Sequence, residues 1–255
     1  MILLTNGDSW TQGDSPSQTI NWNATKSLDW YDIIPHFGDE SNLCNKTILY
    51  KFYDSDVWPK ILGERFGVET WNSAHGGVSN QRIIDTTYNS IMYLRELGKK
   101  DIFVVLQLTS IFRYSTINFK KKSNTKFIIS TDEERFGGDT YPRNVDWLYK
   151  LQLRKLIVLQ TYLKSNNIPH LIYNAFDEGL EDDFKKYKEY KYLDMDYIYN
   201  QTLRPVFKEY IENKFGITWS WDADKYFVGK HPTDISHIEW GKHLHKYIRS
   251  NYEVF

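Results

Sequence analysis

Short apolar runs alternate with longer segments of helical periodicity along most of the chain. The runs at 2–5, 68–72, 101–108 and 168–175 have the length and continuity of strands buried on both faces of a sheet. Apolar residues recur at helical spacing over 54–66, 80–97, 145–164 and 238–252, with Ser79 or Asn80 as the N-cap of the second of these helices. This order predicts an α/β fold: a three-layer sandwich whose mostly parallel sheet binds ligands at the carboxyl ends of its strands.

Three polar stretches interrupt this pattern. Residues 11–45 show no clean period and are expected to form a loop with at most one helix. Residues 110–144 and 176–230 resemble insertions into a compact scaffold more than parts of it. The length of 255 residues fits one domain over 1–255 with these insertions.

The composition favours neither a nucleic-acid partner nor an intramolecular disulfide. The 32 basic and 33 acidic residues nearly cancel, so no global field favours nucleic acid, and the run Lys120–Lys122 is interpreted as solvated. The aromatic content of 16% could supply stacking surfaces for sugars or bases, but core packing explains it more simply. The lone Cys44 has no partner for an intramolecular disulfide.

The chain carries no pattern that targets it to a membrane. Its first apolar run is too short for a signal peptide, and no later stretch approaches the roughly 18 to 20 apolar residues of a membrane span. We therefore expect a protein that is cytoplasmic or otherwise soluble without a signal peptide, and that has no membrane partner.

Two motifs carry the chemistry of a nucleophilic hydrolase. Gly7-Asp8-Ser9-Trp10 follows the first strand, where a glycine turn would present Ser9 at the mouth of the sheet. Near the other end, Asp234 precedes His237 by three residues, so one helix start supplies a base and the carboxylate that orients it. A Gly-Asp-Ser turn and a helix-capping Asp are also common structural features, so each motif alone is weak.

A metal site is the alternative interpretation of the second motif. His231, Asp234 and His237 are all possible ligands. No second acidic or histidine cluster elsewhere supports it, so we predict no metal and no cofactor.

Together these motifs resemble those of the SGNH (GDSL) hydrolases, which are esterases, lipases and carbohydrate deacetylases on a flavodoxin-like three-layer fold. The resemblance implies that Ser9 is the nucleophile and that Asp234 and His237 complete the triad. Residues Asn72 and Gly77-Val78-Ser79-Asn80 are similar to the second block of the family, which implies that the Gly77 amide contributes to the oxyanion hole with that of Ser9.

The third block departs from the family pattern. Where the family has Gly-x-Asn-Asp, this chain has Leu108-Thr109-Ser110-Ile111. Ser110, or otherwise Thr109, stands where the oxyanion-binding asparagine is expected, and Asn80 is a second candidate donor. Arg113 could reach the same crevice.

The sequence thus predicts a serine hydrolase that cleaves small-molecule or carbohydrate esters through an acyl-enzyme. The alternative is a catalytically weak or inactive binding protein that keeps the same fold, which the missing asparagine favours. A nucleic-acid binder is the least supported reading.

Overall fold

The computed structural model describes residues 1–12, 30–34, 47–50, 56–74, 78–111, 114–118, 126–130, 146–219, 225–228 and 231–253. The α-helices are α1 (Ser9–Gln12), α2 (Trp58–Phe66), α3 (Asn80–Glu96), α4 (Asp146–Ser165), α5 (Leu180–Lys185), α6 (Val206–Phe215) and α7 (Asp234–Asn251). The strands are β1 (Ile2–Asn6), β2 (Trp30–Ile34), β3 (Thr47–Tyr50), β4 (Glu69–Asn72), β5 (Ile102–Leu108), β6 (Tyr114–Asn118), β7 (Lys126–Ser130), β8 (His170–Asn174), β9 (Phe227–Val228) and β10 (His231–Pro232). Short 3-10 helices follow α5 at Lys188–Tyr192, Met195–Tyr197 and Tyr199–Gln201.

The main sheet has six strands in the order β2-β3-β4-β1-β5-β8. Strands β4, β1, β5 and β8 are parallel, whereas β2 and β3 join antiparallel at one edge. Taken in chain order, the parallel strands lie as second, first, third and fourth, which is the flavodoxin-like arrangement. The predicted mostly parallel α/β sheet is therefore confirmed.

Helices cover both faces of this sheet. Along β5, Val104 and Leu106 belong to the core beneath α3 and α4, while Phe103 and Val105 belong to the core beneath α2, α6 and α7. The alternation follows from the two-residue period of a strand, whose successive side chains point to opposite faces. The structure thus has the three predicted layers.

Helices α2 and α7 pack against each other at a glycine. A Cβ atom on Gly241 would lie 2.9 Å from the Cβ of Ile61 and 3.3 Å from the carbonyl oxygen of Trp58. The absence of a side chain at this position therefore sets how closely α7 approaches α2.

The predicted boundaries of several elements were wrong. Helix α2 begins at Trp58 rather than at 54, because Pro59 lies in its first turn. Backbone N–H groups of the first turn have no partner within the helix, so proline, which lacks this group, is favoured there. Helix α7 begins at Asp234 rather than at 238, because its first turn is polar and lacks the apolar periodicity.

All three polar stretches contain regular structure that the sequence pattern did not reveal. Strand β2 lies within the stretch 11–45, which was predicted as loop. The stretch 176–230 contains α5, the 3-10 helices, α6 and β9. Within 110–144 the strands described are the antiparallel pair β6 and β7.

No helix within the described ranges is long and apolar enough to cross a bilayer.

Candidate active site

The Gly7–Asp8 turn connects β1 directly to α1 at the carboxyl edge of the sheet. A Cβ atom on Gly7 would lie 2.2 Å from Oγ1 of Thr11 and 2.8 Å from Cβ of Gln107, so this close approach requires glycine. The Asn6 side chain connects the turn to α3. Its Oδ1 accepts from the Gly7 backbone N–H at 2.8 Å, and its Nδ2 donates to the Ile83 carbonyl of α3 at 2.8 Å. Ser9 begins α1 immediately after this turn.

Asp8 is completely buried and is held by three donors. Its Oδ1 accepts from Nε2 of Gln107 at 2.6 Å and from the Trp10 amide at 2.9 Å, and its Oδ2 accepts from Oγ1 of Thr109 at 2.7 Å. Gln107 and Thr109 lie at the end of β5. The carboxylate therefore ties the turn that carries Ser9 to the neighbouring strand.

A chain of hydrogen bonds continues from this carboxylate to α7. Oγ1 of Thr11 donates to Oε1 of Gln107 at 2.6 Å, and the Thr11 and Tyr173 side chains are also bonded. The Tyr173 hydroxyl in turn accepts from Nε1 of Trp240 at 3.2 Å. Burial raises the pKa of Tyr173 well above its ordinary value, so this phenol stays protonated. Helices α1 and α7 are thereby linked through the core.

His237 lies near the first motif across an aromatic cluster. Its ring meets the Phe207 ring edge-on with centroids 6.0 Å apart, and the Trp10 ring meets the same Phe207 edge-on at 5.3 Å. Phe176, Trp219 and Phe227 also pack against Trp10. In addition, Cα atoms of α1 lie within 8 Å of Cα atoms of β10, the strand just before α7. The two ends of the chain therefore meet at one place.

The surroundings of His237 differ from those expected of a base paired with Asp234. The side chain is buried, and its Nδ1 has no hydrogen-bond partner among the residues that the structure describes. Burial, and then the charge of His231, lower the pKa of His237 to about 3. The expected hydrogen bond from Nδ1 of His237 to the Asp234 carboxylate, and the raised pKa that it would cause, are thus not found. Asp234 occupies the first position of α7, one turn before His237.

The candidate oxyanion donors have different surroundings. The Asn80 amide donates to the Thr109 carbonyl at 2.9 Å and to Oε1 of Gln152 at 3.1 Å, and its Oδ1 accepts from the Thr109 amide at 2.7 Å. Asn80 therefore joins α3 to the end of β5 and to α4, while Ser79 caps α3 by accepting from the Arg82 amide at 3.3 Å.

Ser110 is half-buried, and its hydroxyl is hydrogen-bonded to the Asp177 carboxylate. That carboxylate also accepts from the Ile111 amide at 2.6 Å and from the Gly179 amide at 2.9 Å. Burial raises the pKa of Asp177 despite these donors. Ser110 thus lies at the carboxyl edge beside an acidic group that follows β8.

Other predicted residues lie outside the described part of the chain. These are Gly77, Cys44, Arg113 and Lys120–Lys122, together with the side chain of Ser9, whose backbone alone is described. Among the side chains that the structure describes, no group of three or more His, Cys, Asp or Glu residues could hold a metal ion.

Sequence reasoning missed the buried polar residues that support the motifs. Gln107 and Tyr173 lie in strands that were interpreted only as apolar runs, and the Asp177 carboxylate lies in a stretch without a recognisable pattern. A glutamine within an otherwise apolar strand was the available signal, because a buried amide requires hydrogen-bond partners.

No protein family model matches the chain, and no curated protein matches it. Several solved structures resemble it at low identity. One is a G-D-S-L family protein from Desulfitobacterium hafniense DCB-2, with 12% identity and a TM-score of 0.40, covering 96% of this chain and 98% of that one. The structure called TesA gives 12% identity and a TM-score of 0.46, covering 99% and 98%.

The acetyl xylan esterase Est2A from Butyrivibrio proteoclasticus gives 13% identity and a TM-score of 0.47. That match covers 98% of this chain but 63% of the esterase. The first of these structures is described as a protein of the G-D-S-L family, whose motifs this sequence resembles.

Proposed function

We propose that the protein is a serine hydrolase that cleaves ester bonds, with Ser9 as nucleophile and His237 as general base. The observation that carries the proposal is the meeting of the two motifs: Trp10, next to Ser9, and His237 both pack on Phe207. A purely structural role does not require a serine turn and a buried histidine from opposite ends of the chain to converge at the carboxyl edge of a parallel sheet.

The proposed reaction has two halves. Neutral His237 takes the proton of the Ser9 hydroxyl while Oγ of Ser9 forms a bond to the acyl carbon of the ester. The tetrahedral intermediate collapses as the protonated histidine gives that proton to the departing alcohol oxygen. Water then attacks the acyl-enzyme with His237 again as base, and the acid product leaves. No cofactor is needed for these steps.

The low basicity of His237 bears on the role of Asp234. With no hydrogen bond at Nδ1 among the described residues, Asp234 would stabilise the imidazolium through space from the preceding turn of α7. We propose that Asp234 acts in this way, as a weaker partner than a directly bonded carboxylate.

The developing oxyanion would be bound by the backbone amides of Ser9 and Gly77 and by one side chain. Ser110 is the better side-chain candidate, because it is half-buried at the strand edge, whereas the Asn80 amide already serves Thr109 and Gln152. The Ser110 hydroxyl must turn from Asp177 to serve the substrate, which reduces its net contribution.

Small-molecule or carbohydrate esters are the proposed substrates, on the resemblance of the sequence motifs to the SGNH hydrolases. The second candidate is a binding protein that lost catalysis. It is favoured by two observations: the side-chain amide of the third block is absent, and Nδ1 of His237 lacks a partner in the described part of the chain.

Covalent labelling separates the two functions. A fluorophosphonate probe reacts with a serine only when that serine is activated as a nucleophile. We expect one equivalent of label, mapped by peptide mass spectrometry to Ser9, and no label on Ser73, a buried serine just beyond the end of β4. Absence of labelling on Ser9 in folded protein would support the binding protein instead.

A further inference from the structure

A polar cleft lies beside the end of α7 that is distant from His237. Helix α7 starts at the carboxyl edge with Asp234 and ends near the amino edge, where the Tyr252 ring meets Phe103 of early β5 at a centroid distance of 5.5 Å. Here the end of α7 and two 3-10 helices enclose a cleft of about 460 Å³. Because α7 rises about 1.5 Å per residue, Tyr247 and Asn251 of this cleft lie about 15 and 20 Å along the helix from His237.

The walls of the cleft combine aromatic rings with neutral hydrogen-bonding groups. Tyr247 and Tyr252 supply the rings, and Asn200, Gln201 and Asn251 supply amides that both donate and accept. Asp196 contributes the one carboxylate of the lining, and no lysine or arginine is among the lining residues, all of which the structure describes. Such a lining does not favour a phosphate or a carboxylate as ligand.

The geometry of the cleft is held rigidly. The Tyr247 ring packs on Tyr199 with centroids 4.2 Å apart. The Tyr247 hydroxyl accepts a hydrogen bond from the backbone N–H of Asn200 at 2.9 Å. Asn200 and Gln201 both have positive φ angles, 50° and 54°, which residues other than glycine rarely adopt. Both residues are exposed, and both line the cleft.

The hydroxyl of Tyr252 lies beneath the wall of the cleft. It is buried and makes no hydrogen bond to any residue that the structure describes. Burial, and then the neighbouring Tyr247, raise the pKa of Tyr252, so the phenol is neutral at neutral pH. Tyr252 therefore contributes its ring to the lining of the cleft, and its oxygen is not open to a ligand.

We propose that this cleft binds a neutral saccharide unit at a site separate from the ester-cleaving edge. A sugar ring presents C–H faces that pack on tyrosine rings, and its hydroxyl groups require donors and acceptors together, which amides and a carboxylate supply. The proposal does not depend on the catalytic one.

The test is titration of the whole protein with cellohexaose, xylohexaose and mannohexaose, followed by amide NMR shifts. We expect at least one of these oligosaccharides to shift the side-chain amide signals of Asn200, Gln201 and Asn251. The double variant Gln201→Gly with Asn251→Ala keeps the positive φ and removes two hydrogen-bonding groups, so its affinity should fall about tenfold.

A matched control changes the same kinds of residue elsewhere. Asn167 is also exposed with a positive φ of 53°, and Ser250 is exposed near the end of α7. Neither lines the cleft, so Asn167→Gly with Ser250→Ala should bind as the wild type does. Equal weakening in both double variants would contradict the proposal.

The single variant Tyr252→Phe is a second control. Because the buried hydroxyl is not open to the cleft, its removal should leave the thermal midpoint unchanged or higher and the saccharide affinity as in the wild type. The proposal is wrong if none of the three oligosaccharides shifts these amides, if Gln201→Gly with Asn251→Ala binds as the wild type does, or if tetramethylammonium shifts the amides in their place. Ester hydrolysis by these variants should match the wild type, so the two proposals can fail independently.

Discussion

Nε2 of Gln107 donates to Oδ1 of Asp8 at 2.6 Å, and this bond joins the turn before the proposed nucleophile to the adjacent strand. Both side chains are fully buried. The acidic residue of the Gly-Asp-Ser motif thus acts as an anchor in the core. Its role is to position the serine, because a fully buried carboxylate is not open to a substrate.

Asp8→Asn should therefore damage both stability and rate. The introduced amide nitrogen would face a donor, either Gln107 or Thr109, and one buried hydrogen bond would be lost. We expect the free energy of unfolding to fall by about 1–3 kcal/mol in urea titrations. Asp56→Asn, which changes an exposed aspartate just before α2, should stay within about 0.5 kcal/mol of the wild type. Equal stability of the two variants would refute the anchoring role.

Ser9→Ala should abolish turnover of p-nitrophenyl acetate without unfolding the protein. Loss of the nucleophile typically lowers the rate on the order of 10⁴ to 10⁶-fold. Ser73→Ala, at the end of the neighbouring strand β4, is the matched control and should keep its activity. Steady-state kinetics on both variants, with circular dichroism to verify folding, measures this difference. A folded Ser9→Ala protein of normal activity would exclude the proposed mechanism.

Ser110→Ala should lower kcat by roughly tenfold to a hundredfold with little change in KM. A full oxyanion donor contributes about 2.7–4 kcal/mol, but the hydroxyl gives up a bond to the Asp177 carboxylate that is worth about 1.5 kcal/mol or more. Asn80→Ala should mainly lower the free energy of unfolding, since this amide connects α3 to β5 and α4. If Asn80→Ala lowers kcat sharply at unchanged stability and Ser110→Ala does not, the donor is Asn80.

The pH profile of activity should be nearly flat across the neutral range. From the sequence, a carboxylate bonded to His237 would raise its pKa and make activity rise near neutrality. In the structure, burial lowers the pKa of His237 to about 3, so the base is already neutral well below pH 6.5. We expect kcat/KM to decline only in acid, below about pH 5. A midpoint near pH 7 would show that Asp234 engages the histidine directly.

Acid should destabilise the fold through its buried histidines. Burial lowers the pKa of His170 to about 4, so between that value and the ordinary 6.5 the unfolded chain binds a proton that the folded chain does not. The stability is complete above pH 6.5 and is lost as the pH falls. From pH 7 to pH 4.5 this one group should cost roughly 2–3 kcal/mol. His170→Phe should show a correspondingly smaller loss in urea titrations, and an unchanged loss would refute the assignment.

The sequence predicted the sheet well because its strands are continuous apolar runs that need cover on both faces. It also placed the first and last motifs at one edge of the sheet, and Trp10 of the first motif and His237 of the last both pack on Phe207. It could not predict the support beneath them, because Gln107 and Tyr173 are bonded across long separations in the chain. The 3-10 helix that carries Asn200 and Gln201 could not be predicted from the sequence either, since positive φ angles at such residues depend on tertiary packing.

The contact at Gly241 has a consequence for how this protein could change its activity. His237 lies one turn before this glycine on the same rigid helix, so any side chain at 241 would push α7 from α2 and move the imidazole with it. A shift of about 1 Å can cost a hundredfold in rate even when no reacting group is altered. Selection for faster or slower variants should therefore recover substitutions at Trp58, Ile61 and Gly241, positions with no chemistry of their own.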